Sequence, residues 1–123
     1  KVSPRKTKNI KKKYKMKIIS TITVDKKNDV EKYKKYLAVS DIILFDSKGY
    51  EKSLSFNHRF LNNMPNIKTK MLAGNIKFND KLDKYSKIAD IIDISGSLET
   101  FGTKDISKIN FFLNNINKTK NEN

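Results

Sequence analysis

The sequence contains no cysteine. That excludes a disulfide framework, a thiolate metal site and a cysteine nucleophile. Histidine occurs once, as His58, so a histidine-rich metal site and a two-histidine relay are excluded too. No apolar run approaches the ~20 residues of a membrane span, and no signal-peptide pattern opens the chain. Arginine is scarce: of 27 basic residues only Arg5 and Arg59 are arginine. Specific nucleic-acid sites favour arginine, whose planar fork binds bases and phosphates bidentately. Acidic residues are absent from residues 1–17, which hold nine of the basic ones. The net charge of +14 is therefore concentrated there, and the other 106 residues carry only +5. Lysine, asparagine and isoleucine are abundant together (25, 14 and 15 residues), as expected of AT-biased coding. The basic N-terminal stretch thus reads first as a solvated helix face, with a nucleic-acid-binding module as the alternative.

What is present suits one domain, or part of a larger one, with a modest core: 123 residues, 37% apolar and 33% charged. Ser3-Pro4 has the residue types of a helix N-cap and first turn, and Ile10 and Tyr14 mark a thin apolar stripe behind it. Residues 17–24 (KIISTITV) are β-branched and predict a strand. Residues 25–36 predict a helix, with Val30, Tyr33 and Leu37 at helical spacing. Residues 41–47 (DIILFDS) predict the clearest strand, and the unbroken IILF run predicts burial on both faces, as in a parallel sheet. A loop over 48–55 and a short helix over 56–63 follow. Residues 68–73 (KTKMLA) predict a third strand ending at Gly74, 80–88 a helix, 90–94 (DIIDI) a fourth strand, and 104–115 the last helix. Residues 117–123 read as a disordered polar tail. Alternating strands and helices imply an α/β fold of parallel βα units with right-handed crossovers.

Parallel βα units bring all strand C-termini to one rim, where ligands bind. Three of those ends carry chemistry: Asp46-Ser47, Gly74-Asn75 and Ser95-Gly96-Ser97. Gly/Ser turns on neighbouring strands can present backbone N–H groups to a phosphate, though a plain turn uses the same residues. Asp46 follows four large apolar residues. A carboxyl at that place is a partly desolvated general acid or a turn carboxylate, and the residues alone leave both open.

The stretches ILFDSKG, SFN, MLAGN and ADIIDISGSLETFGTKDISKINFF resemble, in order and spacing, the second half of the phosphoribosylanthranilate isomerase family of tryptophan biosynthesis. The opening SPRKTKNIKKKYKMKII resembles the segment after that family's fourth strand. The resemblance implies the C-terminal half, strands five to eight, of a (β/α)8 TIM barrel. It implies a cytoplasmic enzyme that isomerises N-(5-phosphoribosyl)anthranilate by an Amadori-type aldose–ketose step with no cofactor and no metal. Asp46 falls on the general acid that protonates the ring oxygen. Gly74 and Asn75 fall on a phosphate-binding glycine pair, and Ser95, Gly96 and Ser97 on the turn completing the phosphate cup. Asp93 falls on an acidic position that binds a substrate hydroxyl or orients its neighbours. Glu99, Lys104 and Asp105 match residues that fix the turn and the last helix.

The departures are specific. Asn75 replaces the second glycine, Gly96-Ser97 inverts the usual Ser-Gly order, and 48–55 replaces a glycine-rich loop. His58 stands where the family usually has tryptophan and reads as a loop residue. The family's general base is a cysteine on strand one and its carboxylate-binding arginine follows strand two; neither has a counterpart here. A whole barrel needs at least ~200 residues. The expectation is one partial domain over 1–123, a half-barrel from a truncated reading of the gene, inactive as isomerase by itself. Its exposed strand edges would pair with a missing N-terminal half or with another copy. No membrane partner is expected. Another phosphate-binding βα barrel, such as an indole-glycerol-phosphate or ribulose-phosphate enzyme, is the nearest alternative; GSLETFGTKD favours the isomerase.

Overall fold

Strands β1 (Ile19–Val24), β2 (Ile42–Ser47), β3 (Thr69–Ala73) and β4 (Ile91–Asp93) form one parallel sheet in the order β1-β2-β3-β4. The computed structural model describes residues 2–47 and 57–121. Because spatial order equals chain order, the chain winds in one direction, and same-handed crossovers keep every connection on one face. Burial follows. Ile22, Val24, Ile43, Phe45 and Leu72 point to that face and are at most 1% exposed. Each such side chain contributes about 1.5–3 kcal/mol by leaving water. They pack with Val30, Tyr33, Leu61, Tyr85, Ile88 and Phe112 from the connecting helices. The opposite face is uncovered: Ile19 is 52% exposed, and Ile42, Leu44, Met71 and Ile91 are only half-buried. The two-sided burial expected of IILF is therefore absent in this chain, since helices cover one side only.

Helix α1 (Pro4–Tyr14) starts as the sequence predicts, with Ser3 Oγ accepting from the Lys6 N–H at 3.3 Å. It is tied to the sheet through Asp41, whose Oδ2 accepts from Lys11 Nζ at 2.9 Å and from the Ile18 N–H at 2.7 Å. Those bonds hold the Asp41 carboxyl below the usual carboxylate range, the Ile18 N–H first and Lys11 second. The helix expected over 25–36 is a 3-10 helix, Lys27–Tyr36. Its inward residues Val30, Tyr33 and Tyr36 recur every third position, the spacing that three residues per turn aligns. A 3-10 turn, His58–Leu61, falls in the short helix expected at 56–63. The loop expected at 48–55 lies outside the described residues.

The helix expected over 80–88 shrinks to α2 (Asp83–Ser86). Its buried residues Leu82, Tyr85 and Ile88 are also three apart, and Tyr85 N–H to Leu82 O and Ile88 N–H to Tyr85 O are i to i+3 bonds of 3.0 Å. After β4 come a 3-10 turn, Gly96–Leu98, and a hairpin of β5 (Glu99–Thr100) and β6 (Thr103–Lys104) that the pattern does not predict. Its two turn residues, Phe101 and Gly102, are both left-handed (φ 50° and 75°), as tight hairpins require. The last helix, α3 (Ile106–Asn121), runs six residues beyond the expected end at Asn115. The polar tail expected from residue 117 is thus helical to Asn121: no glycine or proline interrupts it, and Ile116 still packs on the core. Among the described residues, no helix is long and apolar enough to cross a membrane.

Candidate functional site

The C-terminal ends of β2, β3 and β4 surround an open cavity of about 620 Å3. Asp46, Gly74, Asn75, Asp93, Ser95, Gly96 and Ser97 all line it, so one concavity gathers every candidate from the sequence. Strand parity explains the acidic side. Asp46 is two positions beyond Leu44 and so shares the uncovered face of β2. Ala73 pairs with Asp93 on that same face, and its small side chain separates the two carboxyls.

Asp46 is half-buried, and its Oδ1 accepts from the Ser47 N–H at 2.8 Å. Desolvation pushes its pKa above the ordinary carboxylate value; the Ser47 N–H opposes that push and the nearby Asp93 carboxylate adds to it. Asp93 itself is exposed. The pair sets a partly desolvated carboxyl beside one open to solvent.

The turn after β3 fits tightly against Asp46. Gly74 has φ +89°, and a Cβ there would meet Ser47 Oγ at 2.6 Å, the Ser47 backbone N at 3.0 Å and Asp46 Oδ1 at 3.1 Å. Glycine is required both for the dihedral and for the space. Asn75 follows at φ 54°, left-handed again, where asparagine is among the best-tolerated side chains. This accounts for asparagine in place of a second glycine. On the other wall, Ser97 Oγ accepts from the Phe78 N–H at 2.7 Å, joining the turn after β4 to the loop after β3. The inverted Gly96-Ser97 order puts a hydroxyl where that amide needs an acceptor. Lys104 Nζ donates to the Ser95 carbonyl at 3.1 Å and to Glu99 Oε1 at 2.7 Å, stapling the hairpin under the turn. Asp105 Oδ1 accepts from the Ser107 and Lys108 N–H groups at 2.9 and 3.3 Å, the N-cap bonds of α3.

Two residues that support these turns, one lining the cavity and one behind it, are not marked by any local motif. Lys108 lines the cavity, with Nζ donating to the Glu99 carbonyl at 2.7 Å and lying 5.4 Å from the Phe78 ring centroid. Its signal is its place three residues after the N-cap, on the first turn of α3. His58 is not in a loop: it opens a 3-10 turn, is half-buried, and has Nε2 3.2 Å from the Gly74 carbonyl. Among the described residues, no three histidine, aspartate or glutamate side chains gather to hold a metal ion.

A sequence model of the family described as N-(5'-phosphoribosyl)anthranilate (PRA) isomerase matches residues 3–115. The N-(5'-phosphoribosyl)anthranilate isomerase of Petrotoga mobilis is 30% identical over 118 residues, which are 91% of this chain and 57% of that protein. The solved structure of the Pyrococcus furiosus enzyme superposes with a TM-score of 0.70 at 14% identity, covering 94% of this chain and 58% of the other. A phosphoribosylanthranilate isomerase in complex with reduced 1-(o-carboxyphenylamino)-1-deoxyribulose 5-phosphate gives a TM-score of 0.68 at 19% identity, over 86% of this chain and 51% of its own. The chain thus spans about half the length of the relatives it matches. The structural likeness identifies the sheet as a parallel βα arrangement of the TIM-barrel type. Since the sequence match runs through all four strands and into α3, the chain belongs to the N-(5'-phosphoribosyl)anthranilate isomerase family.

Proposed function

We propose that this chain supplies the general acid and the phosphate site of a phosphoribosylanthranilate isomerase, as strands five to eight of an eight-stranded barrel. The Asp46 carboxyl gives its proton to the furanose ring oxygen. The C1–O bond breaks, and the anthranilate nitrogen lone pair forms the C=N bond of an open-chain iminium. A base then removes the C2 proton, and the resulting enolamine collapses to the aminoketone. The 5-phosphate rests on the turns at Gly74-Asn75 and Ser95-Gly96-Ser97, with Lys108 adding positive charge beside it. Asp93 is placed to take a substrate hydroxyl. The observation that supports this reading is the nearness of acid and cup: a Cβ placed on Gly74 would lie 3.1 Å from Asp46 Oδ1, in the cavity that Gly96 and Ser97 also line. A phosphorylated carboxyphenylamino sugar bound to a protein of this fold is consistent with it.

The family's cysteine base has no counterpart in this sequence, so the base comes from another βα unit. The half-open face of Ile19, Leu44, Met71 and Ile91 is where such units would close the barrel. The test is a titration of the 15N-labelled chain with inorganic phosphate. Amide shifts confined to Gly74, Asn75 and residues 95–97 are expected; no shift there would overturn the phosphate assignment. Turnover of phosphoribosylanthranilate by the chain alone, lost in Asp46→Asn, would overturn the assignment of the base elsewhere. Self-association through the open face is expected in sedimentation at micromolar concentration, and a well-behaved monomer would count against the half-barrel.

A further inference from the structure

The Gly74–Asn75 peptide joins two left-handed residues, at φ 89° and 54°. A peptide unit between such residues is poorly fixed by sterics and can rotate as a plane. It is trans, so its carbonyl and its N–H point in opposite directions. Whatever holds the Gly74 carbonyl therefore aims the Asn75 N–H the other way.

The atom 3.2 Å from that carbonyl is His58 Nε2. His58 does not line the cavity of Asp46 but stands behind the loop, on a separate concavity with Asn62, Lys84 and Tyr85. The ring is braced edge-to-face on Tyr85, with centroids 5.5 Å apart and planes at 68°. Tyr85 is 2% exposed, and its hydroxyl donates to Asp80 Oδ2 at 2.6 Å. The same Oδ2 accepts from the Lys77 N–H at 2.8 Å. One cluster thus grips both ends of the loop after β3, and Ser97 grips it from the far wall at Phe78.

We infer that His58 is a positioning residue, a peptide-plane lock: by donating Nε2–H to the Gly74 carbonyl it turns the Asn75 N–H toward the cavity and keeps a carbonyl oxygen out of an anion site. The consequence for anions rests on the phosphate reading above; the lock does not. Since a carbonyl only accepts, the neutral ring must carry its proton on Nε2. Burial favours that neutral ring, pushing the His58 pKa down against the Gly74 bond and Asp80, with Lys84 assisting.

The chain has one histidine, so ring 15N NMR of the unmodified protein reads His58 alone. Near neutral pH the Nε2–H tautomer is expected, and the Nδ1–H tautomer would overturn the inference whatever any variant does. His58→Phe keeps a ring on Tyr85 but has no donor, whereas His58→Gln restores an N–H near the Nε2 position. The Gly74 carbonyl 13C and Asn75 amide 15N shifts, which report the shared peptide plane, should move in His58→Phe and return toward the original in His58→Gln, with Phe45 and Leu72 unchanged in both. Phosphate affinity should fall about fivefold in His58→Phe and recover in His58→Gln. Equal Gly74 carbonyl and Asn75 amide shifts in all three proteins would overturn the lock. If the unmodified chain binds no phosphate, the phosphate reading fails, while the tautomer and the peptide shifts still decide the role of His58.

Discussion

Replacing Gly74 by alanine tests the closest contact in the site. The added Cβ meets two kinds of neighbour. Ser47 Oγ, at 2.6 Å, is the end of a short side chain and can rotate away. The Ser47 backbone N, at 3.0 Å, belongs to β2 and cannot move without disturbing the sheet. Overpacking of this kind costs about 1–3 kcal/mol. A non-glycine residue held at φ +89° adds about 1–3 kcal/mol of backbone strain. Together the expectation is about 2–6 kcal/mol, a large part of the ~5–15 kcal/mol that stabilises a typical domain. Urea unfolding followed by circular dichroism should show the midpoint falling by about 1–3 M at an unchanged slope of about 2 kcal/mol per M. Two other glycines serve as graded controls. Gly102→Ala has the strained dihedral (φ +75°) but open space, so it should cost only about 1–2 kcal/mol. Gly96→Ala has neither strain nor neighbours within 4 Å and should change stability by less than about 0.5 kcal/mol. If Gly74→Ala is no worse than Gly102→Ala, the turn does not press on Ser47 and Asp46 as described.

The general-acid role proposed for Asp46 predicts that Asp46→Asn lowers kcat about 10²–10⁴-fold in a complete isomerase carrying this segment, read as substrate consumption under saturating conditions. The same variant has a stability signature in the isolated chain. Because the folded-state pKa of Asp46 is raised by burial, its contribution is fully present below the unfolded carboxylate pKa and is lost as pH rises through the folded value. Asp46→Asn should therefore gain on the original protein in urea midpoints at about pH 7, and that gain should vanish at about pH 3.5. Asp105→Ala removes the α3 N-cap and should cost about 1 kcal/mol in the same assay, with Asp105→Ser restoring most of it.

The strands were legible because their signal is local: β-branched or apolar runs ending in Asp-Ser, Gly-Asn and Ser-Gly. Parallel winding followed from alternation, and winding alone brings Asp46, Gly74 and Gly96 to the same rim. The connections were less legible. Val30-Tyr33-Tyr36 looks α-helical, yet its strict interval of three suits the 3-10 winding found there, and the same interval at Leu82-Tyr85-Ile88 surrounds an α2 of only four residues. The hairpin at Phe101-Gly102 was hidden because phenylalanine seldom takes a left-handed dihedral, so its sequence carries no turn signal. The end of α3 is hidden because apolar spacing stops at Ile116, while polar residues continue a helix that nothing breaks. His58 and Lys108 were missed for a different reason. Each acts on backbone carbonyls distant in sequence, Gly74 and Glu99, and no local pattern encodes such a pairing.

These long-range bonds converge on one loop. Gly74 meets Asp46 and Ser47 on its inner side, and its carbonyl meets His58 on the other. Lys77 and Phe78 are then taken by Asp80 and Ser97. Asp46 and the Gly74 turn are therefore not independent parts: moving the turn changes the space beside Asp46 Oδ1. A substitution at Gly74 should alter the Asp46 titration as well as phosphate binding, whereas one at Ser97 should alter phosphate binding and leave Asp46 unchanged. Site-resolved carboxyl titrations of Gly74→Ala and Ser97→Ala, alongside phosphate titrations, measure that difference. Equal Asp46 titration in the original protein and in Gly74→Ala would separate the acid from the turn.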